Sequence, residues 1–272
     1  MSPTSRPEPK SSTEALHSGP STTPSGPSLV NESANVRRSR HEETAVVVAS
    51  GALTDAEPDL EVALLHALAE DPRGVVCDLD AVQDCAEAPV RDLVACAGEQ
   101  GRDWPPVPVA LVSSDVILRR MLAHQPLHEH VLVHASVGDA IAEIDSTPAP
   151  VTARLPMAAH SSTSWLARKF VRRTCLGWGL VRGISAASLV VSELITNAVV
   201  HAGTDLELIV SHGNGLLRLA VRDHSRDDPL VRELDAQRAN GRGMVLVSGF
   251  SRAWGSLPTA DGGKVVWAVL DA

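Results

Sequence analysis

Ser192-Glu193-Leu194-Ile195-Thr196-Asn197-Ala198-Val199-Val200-His201 is the stretch whose reading decides the fold. Apolar residues at Leu189, Val190, Leu194, Ala198 and Val199 recur at helical spacing, which predicts an amphipathic helix. Glu193 and Asn197 then sit on one face, one turn from each other. An amide oxygen so placed can hold a hard cation such as Mg²⁺. The carboxylate can take a proton or orient a water. A capped or salt-bridged polar stripe gives the same pattern, so the pair decides nothing by itself.

Working outward, Leu217-Arg218-Leu219-Ala220-Val221-Arg222-Asp223 alternates like a strand and ends on an acidic residue. A polar stretch follows from His224 to Asn240, a lid candidate that contains Pro229. Gly241-Arg242-Gly243-Met244-Val245-Leu246-Val247 then places a glycine pair at the start of an apolar, helix-like run. Glycines let backbone approach a ligand, and the free N–H groups at a helix start attract phosphate. Arg242, between the glycines, is a candidate for a phosphate oxygen or a simple solvated side chain. A strand pair around Trp254 and Gly263-Lys264-Val265-Val266-Trp267 closes the chain. A lone Gly-x-Gly is weak evidence; this ordered set is much stronger.

The order from about Arg154 to Ala272 resembles the ATP-binding fold shared by gyrases and histidine kinases, the GHKL type. It is most similar to the branch containing bacterial anti-sigma factors that are also protein-serine kinases. The resemblance implies that Asn197 ligates Mg²⁺ and that Glu193 is the candidate general base. It implies that Asp223 accepts a hydrogen bond from the adenine amino group, and that Gly241, Arg242 and Gly243 lie at the triphosphate. The family's first glycine box reads Asp-x-Gly-x-Gly. Here it is Asp223-His224-Ser225-Arg226-Asp227, with both glycines absent. That departure bears on nucleotide affinity and turnover, not on the fold.

The chain has 272 residues, 44 % of them hydrophobic, enough for two domains with real cores. No uninterrupted apolar stretch approaches the ~20 residues that a membrane span needs. The polar start, Met1 to about Asn31, carries no signal-type apolar segment, so a cytoplasmic protein is expected. Cys77, Cys85, Cys96 and Cys175 show no Cys-x-x-Cys spacing and read as small residues of a reducing compartment. Residues 43–145 hold 5 Lys and Arg against 19 Asp and Glu, while residues 151–272 hold 14 against 10. An acidic first module argues against nucleic-acid binding by it, because phosphate contacts need cations. With no Tyr and 2 Phe there is little surface to stack bases on. The charge asymmetry permits docking between the modules or capture of a charged partner.

Residues 1–42 are rich in Ser, Pro, Thr and Glu without periodicity and read as a disordered tail, with a basic Arg37-Arg38-Ser39-Arg40 cluster. Residues 43–145 alternate strand and helix candidates, which predicts a small α/β domain with a mainly parallel sheet. The run Val75-Val76-Cys77-Asp78-Leu79-Asp80-Ala81-Val82, then a helix, then the Val107 strand, resembles the STAS domain of anti-anti-sigma factors. In that family the following loop carries Asp-Ser-Ser-Gly, whose serine is phosphorylated. Here the aligned stretch is Ala86-Glu87-Ala88-Pro89, with no hydroxyl. The resemblance therefore implies a degenerate docking module carrying a fixed charge at Glu87. His124, His128, His130 and His134 fall close in sequence, but a helix-to-strand break separates them and no zinc-type spacing accompanies them. Residues 146–153, with Pro148 and Pro150, read as a linker to an ATP-binding domain over 154–272.

The expected architecture is thus α/β throughout: an N-terminal STAS-like domain and a C-terminal α/β sandwich of the GHKL ATP-binding type. The expected function is an ATP- and Mg²⁺-dependent regulator of sigma-factor partner switching, a candidate protein-serine kinase. Its expected partners are a sigma factor, an anti-anti-sigma STAS protein, or both, without direct nucleic-acid or membrane contact and with homodimerisation left open. The alternative is a non-catalytic, nucleotide-gated protein-binding module. A two-component histidine kinase fits less well, because no helix pair with a phosphoacceptor His precedes the ATP domain.

Overall fold

The computed structural model describes residues 35–84, 86–103, 107–126, 128–225 and 241–272. Within them the chain forms two five-stranded sheets. The first takes β1 (Val36–His41), β2 (Thr44–Ala52), β3 (Gly74–Asp84), β4 (Val109–Val112) and β5 (Leu132–His134) in that spatial order. β2 to β5 are parallel and β1 lies antiparallel on β2. Helices α1 (Leu53–Ala69), α2 (Glu87–Asp103), α3 (Val116–Ala123) and α4 (Val137–Ser146) connect or follow the strands. Successive side chains of a strand face opposite ways. Val46, Val76, Ala110 and Val112 accordingly pack against Ala140 and Ile144 of α4. Their neighbours Val47, Val75, Cys77, Val109 and Leu111 join a cluster with α1, α2 and α3. Burial of both faces explains the near-continuous apolar runs of these parallel strands.

Two boundaries differ from expectation. Residues 36–41 are not tail but β1, so the Arg37-Arg38-Ser39-Arg40 cluster lies on a strand. Only Val36 of this strand is buried, and Arg38 lies 3.7 Å from Glu70. An edge strand with charged, outward side chains looks like a polar tail in sequence. Residues 1–34 of the expected tail lie outside the described residues. The linker shortens to residues 147–150, because α4 runs to Ser146 and β6 (Val151–Met157) begins directly after Pro150.

The second sheet adds β7 (Leu206–Gly213), β8 (Leu216–Asp223), β9 (Ala253–Pro258) and β10 (Lys264–Asp271) to β6, in the antiparallel order β6-β7-β8-β10-β9. Asn214 and Gly215, both at positive φ, join β7 to β8 as a two-residue hairpin of the kind whose twist matches the strands. Helices α5 (Thr163–Gly177), α6 (Ile184–His201) and α7 (Gly241–Phe250) belong to the same domain. Leu208, Val210, Leu217, Leu219, Val221, Ala268 and Leu270 share one cluster with Val171, Val190, Leu194 and Val247 of these helices. By length and composition α6 is apolar enough to cross a membrane. Its Ala187, Val190, Val191, Leu194, Ile195 and Ala198 are buried in the core.

The opposite face of this sheet is also covered. Ile209, Ala220, Leu257, Val265, Trp267 and Val269 belong to the cluster that includes Leu53, Leu60 and Leu64 of α1. One helix of the first module therefore serves two sheets, and the modules share a core. An ionic contact reinforces it. Arg218 of β8 is 2 % exposed and its guanidinium donates to Asp71 Oδ1. Arg154 Nη2 of β6 donates to Asp71 Oδ2 at 2.7 Å, and Arg154 also meets Glu207 at 3.4 Å. Asp71 sits just past the C-terminus of α1 at φ 55°, where its N–H donates to the Leu68 carbonyl. That left-handed position usually takes glycine or asparagine; here the carboxylate is what the partner module needs.

Cys77 and Cys175 are buried and Cys96 is half-buried. Burial, then neighbouring charge, pushes the Cys77 and Cys96 thiols up to about 12, so both stay protonated at neutral pH.

Removing one partner of a buried ion pair strands the other. Asp71→Ala is expected to destabilise the full chain by roughly 3–5 kcal/mol, seen as a lower midpoint in urea unfolding. An unchanged midpoint would show that the two modules hold together without this contact.

Candidate functional site

Helix α6 is the platform. It packs on β8 below and beside α7 and α5. Its apolar residues fix its rotation, which leaves Ser192, Glu193, Thr196 and Asn197 toward its upper, half-exposed side. Thr196 and Ser192 each return a hydroxyl to the carbonyl one turn back. They also tie α6 to α5 through Ser164 and Arg168 at 3.2 and 3.1 Å. Glu193 and Asn197 are left without such ties to α5.

The glycine motif converges on this pair. Gly243, in the first turn of α7, touches Glu193 so closely that a Cβ would run into Glu193 Oε2. A larger residue here would have to displace the end of the Glu193 side chain, so glycine lets the carboxylate lie against the start of α7 as it does. The next residue, Met244, offers its Sδ to Asn197 Nδ2 at 3.0 Å. With its nitrogen so engaged, the Asn197 carbonyl oxygen has no hydrogen-bond donor among the described residues. Gly241 opens α7 as expected. The side chain of Arg242, and the lid candidate from residue 226 to 240, lie outside the described residues.

Asp223 ends β8, the middle strand of the sheet, and is fully buried. Its Oδ1 accepts from Ser225 N at 3.0 Å and from Lys264 Nζ at 3.2 Å. Its Oδ2 is buried with no partner. Burying an acceptor without a donor is costly, so such an atom calls for one. Sequence reasoning missed three residues that shape this end. Lys264 stands opposite Asp223 in the β10–β8 register and is 8 % exposed. Gly263 packs on the Asp223 carbonyl, where a Cβ would collide with it. Thr259, 4 % exposed, borders the same glycine. A lysine opening the otherwise apolar run Lys264-Val265-Val266-Trp267 was the available signal.

The β9–β10 hairpin is held by Asp261. It accepts from Thr259 Oγ1, Arg222 Nη2 and the Gly263 N–H, and lies 3.2 Å from His224 Nδ1. Burial works to raise the Asp261 carboxyl, but the Thr259 hydroxyl, the Arg222 charge and the Gly263 amide outweigh it and hold it well below the usual carboxylate range.

These features fit a magnesium–nucleotide complex. The orphaned Asp223 Oδ2 can accept from a base amino group. The glycine-lined start of α7 can receive phosphate. Among the described residues no three His, Cys, Asp or Glu side chains converge on a metal position. Mg²⁺ would thus be held by Asn197 together with phosphate oxygens, a normal arrangement for this ion. The clustered histidines take other roles: His124 and His128 bond to the Arg120 and Gln125 carbonyls, and His134 lies 2.9 Å from Glu143.

Residues 148–270 match the family described as a histidine kinase-like ATPase domain. The C-terminal domain has that fold, and its match begins within the short linker. A comparison with curated proteins finds no match.

A carboxyl held low in the folded state stabilises above its unfolded pKa and loses that contribution as pH falls through the folded value. The stability difference between the parent chain and Asp261→Asn should be full above about pH 4 and shrink at lower pH, measured by thermal unfolding between neutral and acid pH. A pH-independent difference would assign the hairpin's order to packing instead.

Proposed function

We propose that the chain is an ATP-binding regulator of the anti-sigma factor and protein-serine kinase type, acting in sigma-factor partner switching. One arrangement carries the reading. The α6 carboxylate and amide meet the glycine-opened α7 in a domain whose buried Asp223 has a vacant acceptor. Bound ATP supplies the transferable phosphoryl group. Asp223 Oδ2 receives the base amino group, and the free N–H groups at the start of α7 receive phosphate oxygens, with Arg242 beside them. Asn197 Oδ1 holds Mg²⁺ and Glu193 takes the proton of a substrate serine hydroxyl on its carboxylate.

The first module acts as a STAS-like docking domain. Its Glu87 lies in the first turn of α2, where a negative charge suits the helix dipole. The flanking Ala86, Ala88 and Pro89 offer no hydroxyl to phosphorylate. The partners under this reading are a sigma factor or a STAS protein in the cytoplasm, and a second copy of the chain is compatible with it.

The second reading, a nucleotide-gated binding module without turnover, is favoured by His224-Ser225-Arg226-Asp227, which carries none of the glycines of an Asp-x-Gly-x-Gly box.

Calorimetry on the full chain tests the common premise. Mg-ATP should bind, and Asn197→Ala should weaken Mg²⁺-dependent binding about tenfold or more while circular dichroism stays unchanged. Equal binding by the variant would remove Asn197 from the site. Phosphate transfer to a STAS-type partner separates the two readings. For a kinase, Glu193→Gln should lower transfer by about a hundredfold or more and keep ATP affinity. For a binding module, the parent itself transfers nothing.

A further inference from the structure

The Asp223–Lys264 pair is incomplete on both sides. Lys264 Nζ carries three N–H donors, and its side chain is only 10 % exposed. Asp223 Oδ1 is the acceptor it meets, at 3.2 Å, and among the described residues its other two N–H groups have none. Beside it, Asp223 Oδ2 is buried and accepts from no donor. A buried acceptor without a donor thus stands next to a largely enclosed cation with donors to spare, and the acceptor's burial is costly in a folded chain.

A lysine placed only to neutralise Asp223 needs one contact, and it has that contact already. It would not need to be enclosed with its remaining donors unused. The unused pair asks for a ligand edge that presents a donor and an acceptor side by side. An amino-substituted heterocyclic base has this edge: an exocyclic amino group next to a ring nitrogen with a lone pair.

We infer that Lys264 is a base-reading residue, donating from Nζ to the ring nitrogen beside the amino group that Asp223 Oδ2 receives. This rests on the nucleotide reading above and adds a specificity determinant to it. For adenine the ring nitrogen is N1. Because Asp223 and Lys264 form a neutral pair, the base is selected by directed hydrogen bonds and not by net charge. One of these bonds comes from a charged donor, the stronger kind.

The test uses the full chain with Mg²⁺ and compares ATP with its 1-deaza analogue, in which a C–H replaces N1 and the amino group remains. Calorimetry should show the analogue binding about tenfold to a hundredfold more weakly, the effect of one charge-assisted hydrogen bond. Lys264→Met, which keeps the apolar stem but also removes the partner of Asp223, should abolish the difference in affinity between ATP and the analogue, whatever it does to both. Equal affinities of the parent chain for the two nucleotides would overturn the inference and leave the nucleotide reading standing. A Lys264→Met chain that still prefers ATP over the analogue by the parent's factor would make Lys264 a structural counter-ion only and also overturn it. Failure of the parent chain to bind either nucleotide would overturn the nucleotide reading and this inference with it. The comparison of nucleotides on the parent chain needs no variant, so it decides the matter even if Lys264→Met does not fold.

Discussion

Arg218 is a charged side chain, almost wholly buried, in the middle strand of a sheet. A guanidinium cannot shed its proton, so it must be given a counter-ion or the strand must not form. The chain supplies Asp71 from the end of α1 in the other module, and Arg154 from β6 shares it. This requirement organises the molecule. α1 has to end where its carboxylate reaches β8, and its apolar side then lies on the sheet face formed by Ile209, Ala220, Val265, Trp267 and Val269. The second sheet is therefore buried on both faces, by its own helices and by a helix of its neighbour.

That dependence marks the limit of what could be read from the chain. The α6 pattern, the strand ending at Asp223, the glycines of α7 and the α/β alternation of residues 43–145 were all legible, because each is a local period set by a buried face. Glu193, Asn197 and Gly243 do come together; Asp223 stands at the end of the strand beneath them, and the side chain of Arg242 is outside the described residues. What escaped was set by distant partners. β1 looked like tail because an edge strand with one buried residue, Val36, has no apolar period to detect. The burial of Asp71 and Arg218 was invisible because neither has its partner nearby in sequence: they are 147 positions apart. Lys264 was legible as an oddity within an apolar strand, but its role depends on the β10–β8 register, which only the folded sheet reveals.

The buried end of β8 is completed by a distant partner in the same way. A lone carboxylate at 0 % exposure would carry a large desolvation cost. Lys264 Nζ, 3.2 Å from Oδ1, offsets it. The glycine that approaches Asp223 is supplied by the β9–β10 hairpin, at Gly263, and not by the residues that directly follow Asp223.

Strand β8 carries both constraints at once. Arg218 and Ala220 face the first module, while Leu219 and Val221 face the helices. Asp223 lies five positions beyond Arg218 and so points the opposite way, because strand side chains alternate. Arg222, on the Arg218 side, holds Asp261 and with it the hairpin that presents Gly263 and Lys264. Asp261 also acts on His66 of α1, whose pKa is lowered chiefly by burial and by Arg38 and opposed by the charges of Glu70 and Asp261. The interdomain contact and the base end of the site are therefore two faces of one strand and one hairpin. A rearrangement at either must be absorbed by β8 or β10, both central and fully paired. Such strands resist local opening. The Asp223–Lys264 end of the sheet is consequently held by the whole chain, and a C-terminal domain cut free at the linker would expose Trp267 and leave Arg218 without Asp71.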